Sequence, residues 1–265
     1  MRAAHEMEPG ARALPLEVAS DATVTILRIP LPILTREGAL DRVERAAVGD
    51  EPGLVLYVNA HTLNLAATEA SYADVLLGST VLLNDGVGVS LAARLARRPL
   101  VANLNGSDFN PLILERAASR GWKVFFVGGR TGIAATAAAK LTEAISGLNV
   151  VGTSPGYLDR ESSAAVAGEV RRSGAELLMV GMGSPLQELW LNDHLEGSGA
   201  RLGIGVGGFF DFASGATPRA PHWMNRAGLE WSYRLAVEPR RLWRRYILGN
   251  PRFLARIIAL RIRGS

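Results

Sequence analysis

The chain has 265 residues, of which 48% are hydrophobic and 20% charged. That is apolar enough for one substantial core and less charged than the roughly 25% of ordinary soluble domains. The lack of cysteine excludes disulfides, zinc–thiolate sites and thiol nucleophiles, and no uninterrupted apolar run reaches the length of a membrane-spanning helix. The net charge of +4 rests on arginine, Lys123 and Lys140 being the only lysines. Such a bias suits a GC-rich genome, and equally suits phosphate binding by paired guanidinium donors.

Residues 1–22 lack the apolar centre of a signal peptide and read as a disordered leader. Apolar runs at 23–29, 53–59, 81–84, 123–128, 148–153, 175–181 and 201–207 are predicted strands. Ala/Leu-rich amphipathic runs near 36–47, 61–77, 86–97, 108–120, 131–146, 161–173 and 185–196 are predicted helices. Most of the strands are continuously apolar, the pattern of a parallel sheet covered on both faces. The alternation predicts an α/β class with a Rossmann-like core and a mostly parallel sheet over 23–217. From 218 to 265 the composition changes. Eleven arginines, opposed only by Glu230 and Glu238, alternate with Trp223, Trp231, Tyr233, Trp243, Tyr246 and Phe253. This is a basic helical appendage, separable from the core, that Pro239 and Pro251 are expected to break into about three pieces.

In a parallel sheet the segments following each strand carry the chemistry. Asp85 directly follows a buried strand, with Gly86 and Gly88 and a helix behind it. A carboxylate there can take a proton from a hydroxyl nucleophile, or can simply cap the helix. Gly128 and Gly129 close a strand before an Ala-rich helix, a turn that suits a phosphate or nucleotide, or only tight packing. Gln187 and Glu188 open a helix after Gly181 and Gly183. Gln187 could bind a uracil, ribose or sugar, the alternative being an ordinary helix start with Glu188 on the dipole. Gly203, Gly205 and Gly208 match a dinucleotide fingerprint formally, but too late in the chain and without a following helix. No Asp-x-Asp pair, metal-ligand histidine spacing or nucleophile elbow is present, so neither a metal nor a cofactor is expected.

Taken together, YVNAHTLNLA (57–66), LLNDGVGV (82–89), NGSDF (105–109), VFFVGG (124–129), GYLD (156–159), VGMGSPLQELW (180–190), the run 205–235 and EPRRLWRRYILGNPRF (238–253) resemble the WecG/TagA/CpsF glycosyltransferases over about residues 24–254. The resemblance implies inverting transfer from a UDP-sugar, usually of N-acetylmannosamine type, to a polyprenyl-diphosphate-linked sugar in cell-surface polysaccharide synthesis. It puts the catalytic aspartate on Asp85 and substrate-binding positions on Asn59, Gln187, Arg234, Arg241 and Arg244. Tyr57, where some members have Thr, and Asn103, where many have Arg, depart from the pattern and bear on which sugars bind. With no metal pair, cationic side chains must neutralise the leaving UDP. The same tail suits an anionic bilayer, giving an enzyme in the cytoplasm, peripheral on the inner face of the plasma membrane. Nucleic acid is not an expected partner, and homo-oligomerisation stays open. The competing readings are a nucleic-acid-binding protein using its basic tail and a non-catalytic nucleotide-sugar-binding protein.

Overall fold

The computed structural model describes residues 22–221, 223–224 and 228–263. Residues 1–21 of the leader read over 1–22, together with His222 and Arg226, lie outside these residues, while Ala22 is held by the Ile33 N–H on its carbonyl. The chain opens with a hairpin of β1 (Thr23–Ile26) and β2 (Ile29–Pro32), where a single strand is predicted over 23–29. Leu27 and Arg28 form its turn with φ of 48° and 72°. Two-residue hairpin turns require positive φ, but neither residue is a glycine, asparagine or aspartate that would announce it.

Six parallel strands follow: β3 (Gly53–Val58), β4 (Val81–Asn84), β5 (Lys123–Gly128), β6 (Asn149–Ser154), β7 (Leu177–Gly181) and β8 (Leu202–Gly205). Their spatial order is β4-β3-β8-β7-β5-β6. The α/β reading holds, and the last strand enters the middle of the sheet. Alternate side chains of each strand divide the core. Leu54, Leu56 and Val58 of β3 join one buried cluster, and Val55 and Tyr57 join the other.

The first cluster is covered by the hairpin and by α2 (Ala60–Ala66), α3 (Ala70–Leu77), α4 (Val87–Leu95), α7 (Arg160–Ser173) and α8 (Leu186–Ser198). The second is covered by α1 (Arg36–Val48), α5 (Gly106–Arg120), α6 (Ile133–Ala144) and the short α9 (Phe209–Ala213). The single helix predicted over 61–77 is two, separated where Thr68 Oγ1 donates to the Asn64 and Leu65 carbonyls. No proline or glycine marks that break. Helix α9 occupies the FFDF run, where the sequence shows no helical period.

The C-terminal segment forms α10 (Glu230–Val237), α11 (Pro239–Trp243), a π-helical stretch (Arg244–Gly249) and α12 (Asn250–Arg263). Pro239 opens α11 as expected, but the chain stays helical through Pro251. The wider π turn offsets the hydrogen-bond ladder just before the residue that has no N–H to give. Leu242, Tyr246, Phe253 and Ile257 are buried, and the last two belong to the same cluster as Leu56 and Leu63. No helix among the described residues is long and apolar enough to cross a membrane.

Candidate active site

The carboxyl ends of β3, β4, β7 and β8 open into a cleft of about 590 Å³, roofed by α10, α11 and the π stretch. It occupies the place where open parallel sheets bind ligands. Asp85 lies within it, immediately after β4. Its N–H donates to the Val58 carbonyl at 2.8 Å, extending the ladder by one residue beyond the strand. The loop 102–103 fixes both sides of the position. Asn84 Nδ2 donates to the Ala102 carbonyl at 2.8 Å, and the Gly86 N–H donates to Asn103 Oδ1 at 3.2 Å. Asn103 thus supports the Asp85 loop and is not part of the cleft wall.

Asn59 ends β3 and caps α2. Its Oδ1 accepts from the His61 and Thr62 N–H groups, while Nδ2 donates to Asp85 Oδ2 at 3.5 Å. The cap residue's backbone is extended, as such caps are, and Asn59 lines the cleft. Burial raises the Asp85 pKa, against the lowering effects of Arg245, Arg234 and the Asn59 amide. A raised pKa makes the ionised carboxylate a stronger proton acceptor. Tyr57 presents its ring to the cleft and donates its hydroxyl to Asn110 Oδ1 at 2.7 Å. Burial and the Asp85 charge hold that phenol protonated, far above its ordinary range.

Gln187 is buried at the cleft floor. Its Oε1 accepts from the Gly183 and Gly207 N–H groups at 3.2 and 2.9 Å, and Nε2 donates to Glu188 Oε1 at 3.0 Å. It therefore ties together the loops after β7 and β8. Glu188 is wholly buried rather than exposed on the helix dipole, also accepts from Ser184 Oγ, and has its pKa raised by burial. Gly128 and Gly129 lie away from the cleft. A Cβ on Gly128 would stand 2.6 Å from the Gly181 carbonyl oxygen and 2.8 Å from Phe210, so close packing requires glycine there.

Residues 24–265 match the sequence pattern of the glycosyl transferase WecG/TagA/CpsF family. The chain belongs to that family. It is also similar to the N-acetylglucosaminyldiphosphoundecaprenol N-acetyl-beta-D-mannosaminyltransferase of Bacillus subtilis (strain 168). The two are 30% identical over 237 residues, covering 89% of this chain and 91% of that protein. The protein is a glycosyltransferase.

In this WecG/TagA/CpsF chain the C-terminal segment brings three arginines into the cleft. They are Arg234, Arg241 and Arg245. The Arg234 guanidinium lies 5.0 Å from the Phe212 ring centroid, and its buried Nε has no hydrogen-bond partner among the described residues. Arg241 pairs with Glu238. Arg244 is exposed, stacks on Trp243 with its Cζ 5.4 Å from the ring centroid, and does not line the cleft. Burial lowers the pKa of Arg245.

The motif reading missed Arg245, Glu230 and His61. Positions 241, 244 and 245 are all helical neighbours, so a one-residue choice of face is not visible in the sequence. Glu230 lines the cleft, its pKa raised by burial and by Asp85. A Cβ on Gly228, two residues earlier, would meet Val87 Cγ2 at 2.6 Å, which shows how closely α10 approaches the Asp85 loop. His61 is lowered to about 4 by burial and by Arg245, so it faces the cleft as a neutral ring.

Proposed function

We propose that the enzyme transfers a sugar of N-acetylmannosamine type from a UDP-sugar to a polyprenyl-diphosphate-linked N-acetylglucosamine, inverting the anomeric carbon. The observation that carries the reading is the placing of Asp85, Arg234 and Arg245 in one cleft at the strand ends. The relative's printed reaction supplies the substrate classes. As the acceptor oxygen forms its bond to the anomeric carbon, Asp85 takes the hydroxyl proton. The bond from that carbon to UDP breaks on the opposite face, and its electron pair leaves with the diphosphate. Arg234, Arg241 and Arg245 neutralise the charge that develops there. The unpartnered Arg234 Nε supports this role, because a buried donor without an acceptor suits an anionic ligand.

Asn59 holds Asp85 toward the acceptor, Tyr57 shapes the sugar subsite, and Gln187 keeps the strand-end loops in place. Arg244 and the exposed Trp243 and Leu248 favour docking on an anionic bilayer, where each surface cation contributes about 1 kcal/mol. This makes the enzyme peripheral on the inner face of the plasma membrane, where UDP-sugars are available. The test is incubation of UDP-N-acetylmannosamine with a short prenyl diphosphate-linked N-acetylglucosamine, followed by NMR assignment of the product anomer. A β-linked disaccharide from the α-linked donor is expected. Failure to transfer from any UDP-sugar, or retention of configuration, would overturn the reading.

A further inference from the structure

Two chemically different sets of residues line the cleft. One comprises Asp85, Glu230 and the arginines. The other is an apolar wall contributed by α4 and by the start of α12. Val87 and Leu91, one helical turn apart, line it from α4, and Ile247 and Leu254 line it from the C-terminal segment. These four side chains are 52%, 41%, 53% and 37% exposed, although they stand in a cavity beside the charged groups. Phe253 closes the floor, its ring 3.7 Å from where a Cβ on Gly88 would lie. Beyond the cleft the apolar row continues along α12 through Ile258 and Ile262, spaced four residues apart from Leu254 and 54% and 73% exposed.

A soluble nucleotide-sugar gives no reason for this wall. A ligand with a charged head and a hydrocarbon chain does, because its head and tail would each meet their own chemistry within one cavity. We propose that the channel between α4 and α12 is the subsite for the first isoprene units of the lipid acceptor, over Leu91 and Leu254 and out along Ile258. This rests on the proposed reaction for the acceptor's class and adds where its chain lies. A second apolar groove borders the same helix on its other side, lined by Leu77, Ala73, Leu27 and Leu260, but it does not share lining residues with the charged cleft.

The test needs no sugar transfer, so failure of the proposed reaction would be seen separately in the turnover assay. Calorimetry would compare dimethylallyl diphosphate with farnesyl diphosphate below its micelle concentration, without vesicles or detergent. Farnesyl diphosphate should bind the full chain at least about tenfold more tightly, since two further isoprene units leave water. The double variant Leu91→Glu, Leu254→Glu should erase that preference, as should the gentler Leu91→Ala, Leu254→Ala if the charged pair does not fold. Leu77→Glu, in the other groove, should leave it intact. Absence of farnesyl diphosphate binding, equal affinity for the two probes, a preference that survives in the double variants, or one lost in Leu77→Glu would overturn the assignment.

Discussion

Asn59 and Asp85 end neighbouring strands and meet side chain to side chain, the amide Nδ2 donating to Asp85 Oδ2 at 3.5 Å. The same amide caps α2 through its oxygen. One side chain therefore serves both the helix start and the carboxylate, and substitutions can separate the two. Asn59→Ala removes both interactions. It should cost about 1 kcal/mol of stability, the usual worth of such a cap. It should also raise the Asp85 pKa further, because a donor to the charged form is lost. Asn59→Thr keeps a capping oxygen for α2 but withdraws the amide donor from Asp85. Its melting temperature should stay near the parent's while kcat falls. Equal loss of stability in both variants would show that capping does not set the stability effect.

Asp85→Asn should lower kcat about a hundredfold or more while UDP still binds, because the shape stays and the proton acceptor goes. In the parent enzyme, burial outweighs the two arginines and the amide, so Asp85 titrates above the ordinary carboxylate range. The active form is the ionised one. The profile of kcat/KM against pH should rise with pH through an acid limb displaced upward from the ordinary aspartate value, and lose activity below it. An acid limb at or below the ordinary aspartate value, or near-parent turnover by the Asn variant, would end the assignment of Asp85 as the base.

Arg245 and Arg244 offer a paired comparison on adjacent residues. Arg245→Ala should reduce kcat/KM about a hundredfold, the scale seen when one donor to a developing anion is removed. Arg244→Ala should change soluble-acceptor turnover less than about fivefold, since the side chain is exposed and stacked on Trp243. Steady-state kinetics with a short, soluble acceptor would keep bilayer effects out of the comparison. A reversed order would place the diphosphate elsewhere.

The part of this site legible in the sequence is the part built by strand ends. Asn59, Asp85 and Gln187 each follow a short apolar run, so parallel-sheet topology alone brings them to one rim. The order of strands was not legible. β8 lies between β3 and β7, and nothing in LGIG announces its neighbours. That insertion separates Gly128 and Gly129 from the cleft by placing β5 beyond β7. Their pattern suits a phosphate turn and a tight packing contact equally, and the contact with Gly181 and Phe210 decides what Gly128 does. The tail was hardest to read. Its helical run passes into a π-helical stretch at Arg244–Gly249, and of the adjacent Arg244 and Arg245 it is Arg245 that lines the cleft. Glu230, one of only two acids among eleven arginines, looked like a counter-charge to them until the fold placed it near Asp85.

Turnover should continue in excess chelator. Among the described residues no group of three or more His, Asp or Glu side chains gathers to hold a metal ion, and three guanidinium groups occupy the cleft instead. Guanidinium forks can stabilise a leaving diphosphate by paired hydrogen bonds as well as by charge. The check is the initial rate with and without EDTA, with magnesium or manganese added back. Activity that stops and is restored by the metal would require an ion beside the leaving group.

Removing the C-terminal segment tests whether roof and core are separable. Composition alone marks residues from 218 onward as an appendage, and the six-stranded sheet and its crossover helices all lie before it. The packing argues against independence. Phe253 and Ile257 are 1% and 9% exposed and sit in the cluster with Leu56 and Leu63, while Arg256 donates to the carbonyl and side-chain oxygens of Asn64 on α2. Leu242 and Tyr246 are also buried. At about 1.5–3 kcal/mol for each large apolar side chain covered, these four contribute about 6–12 kcal/mol. The whole stability of a domain is about 5–15 kcal/mol. A chain ending at Thr217 should therefore melt far lower than the full chain, or fail to fold. Finer substitutions distinguish loss of roof from loss of core. Phe253→Ala should cost about 3–5 kcal/mol and lower the melting temperature, whereas Arg234→Gln should lower kcat/KM with little change in melting. Thermal unfolding of the three proteins beside one transfer assay would decide it. A truncated chain that melts like the parent would show that the core stands without its roof, and that α12 is held by the sheet without helping to hold it.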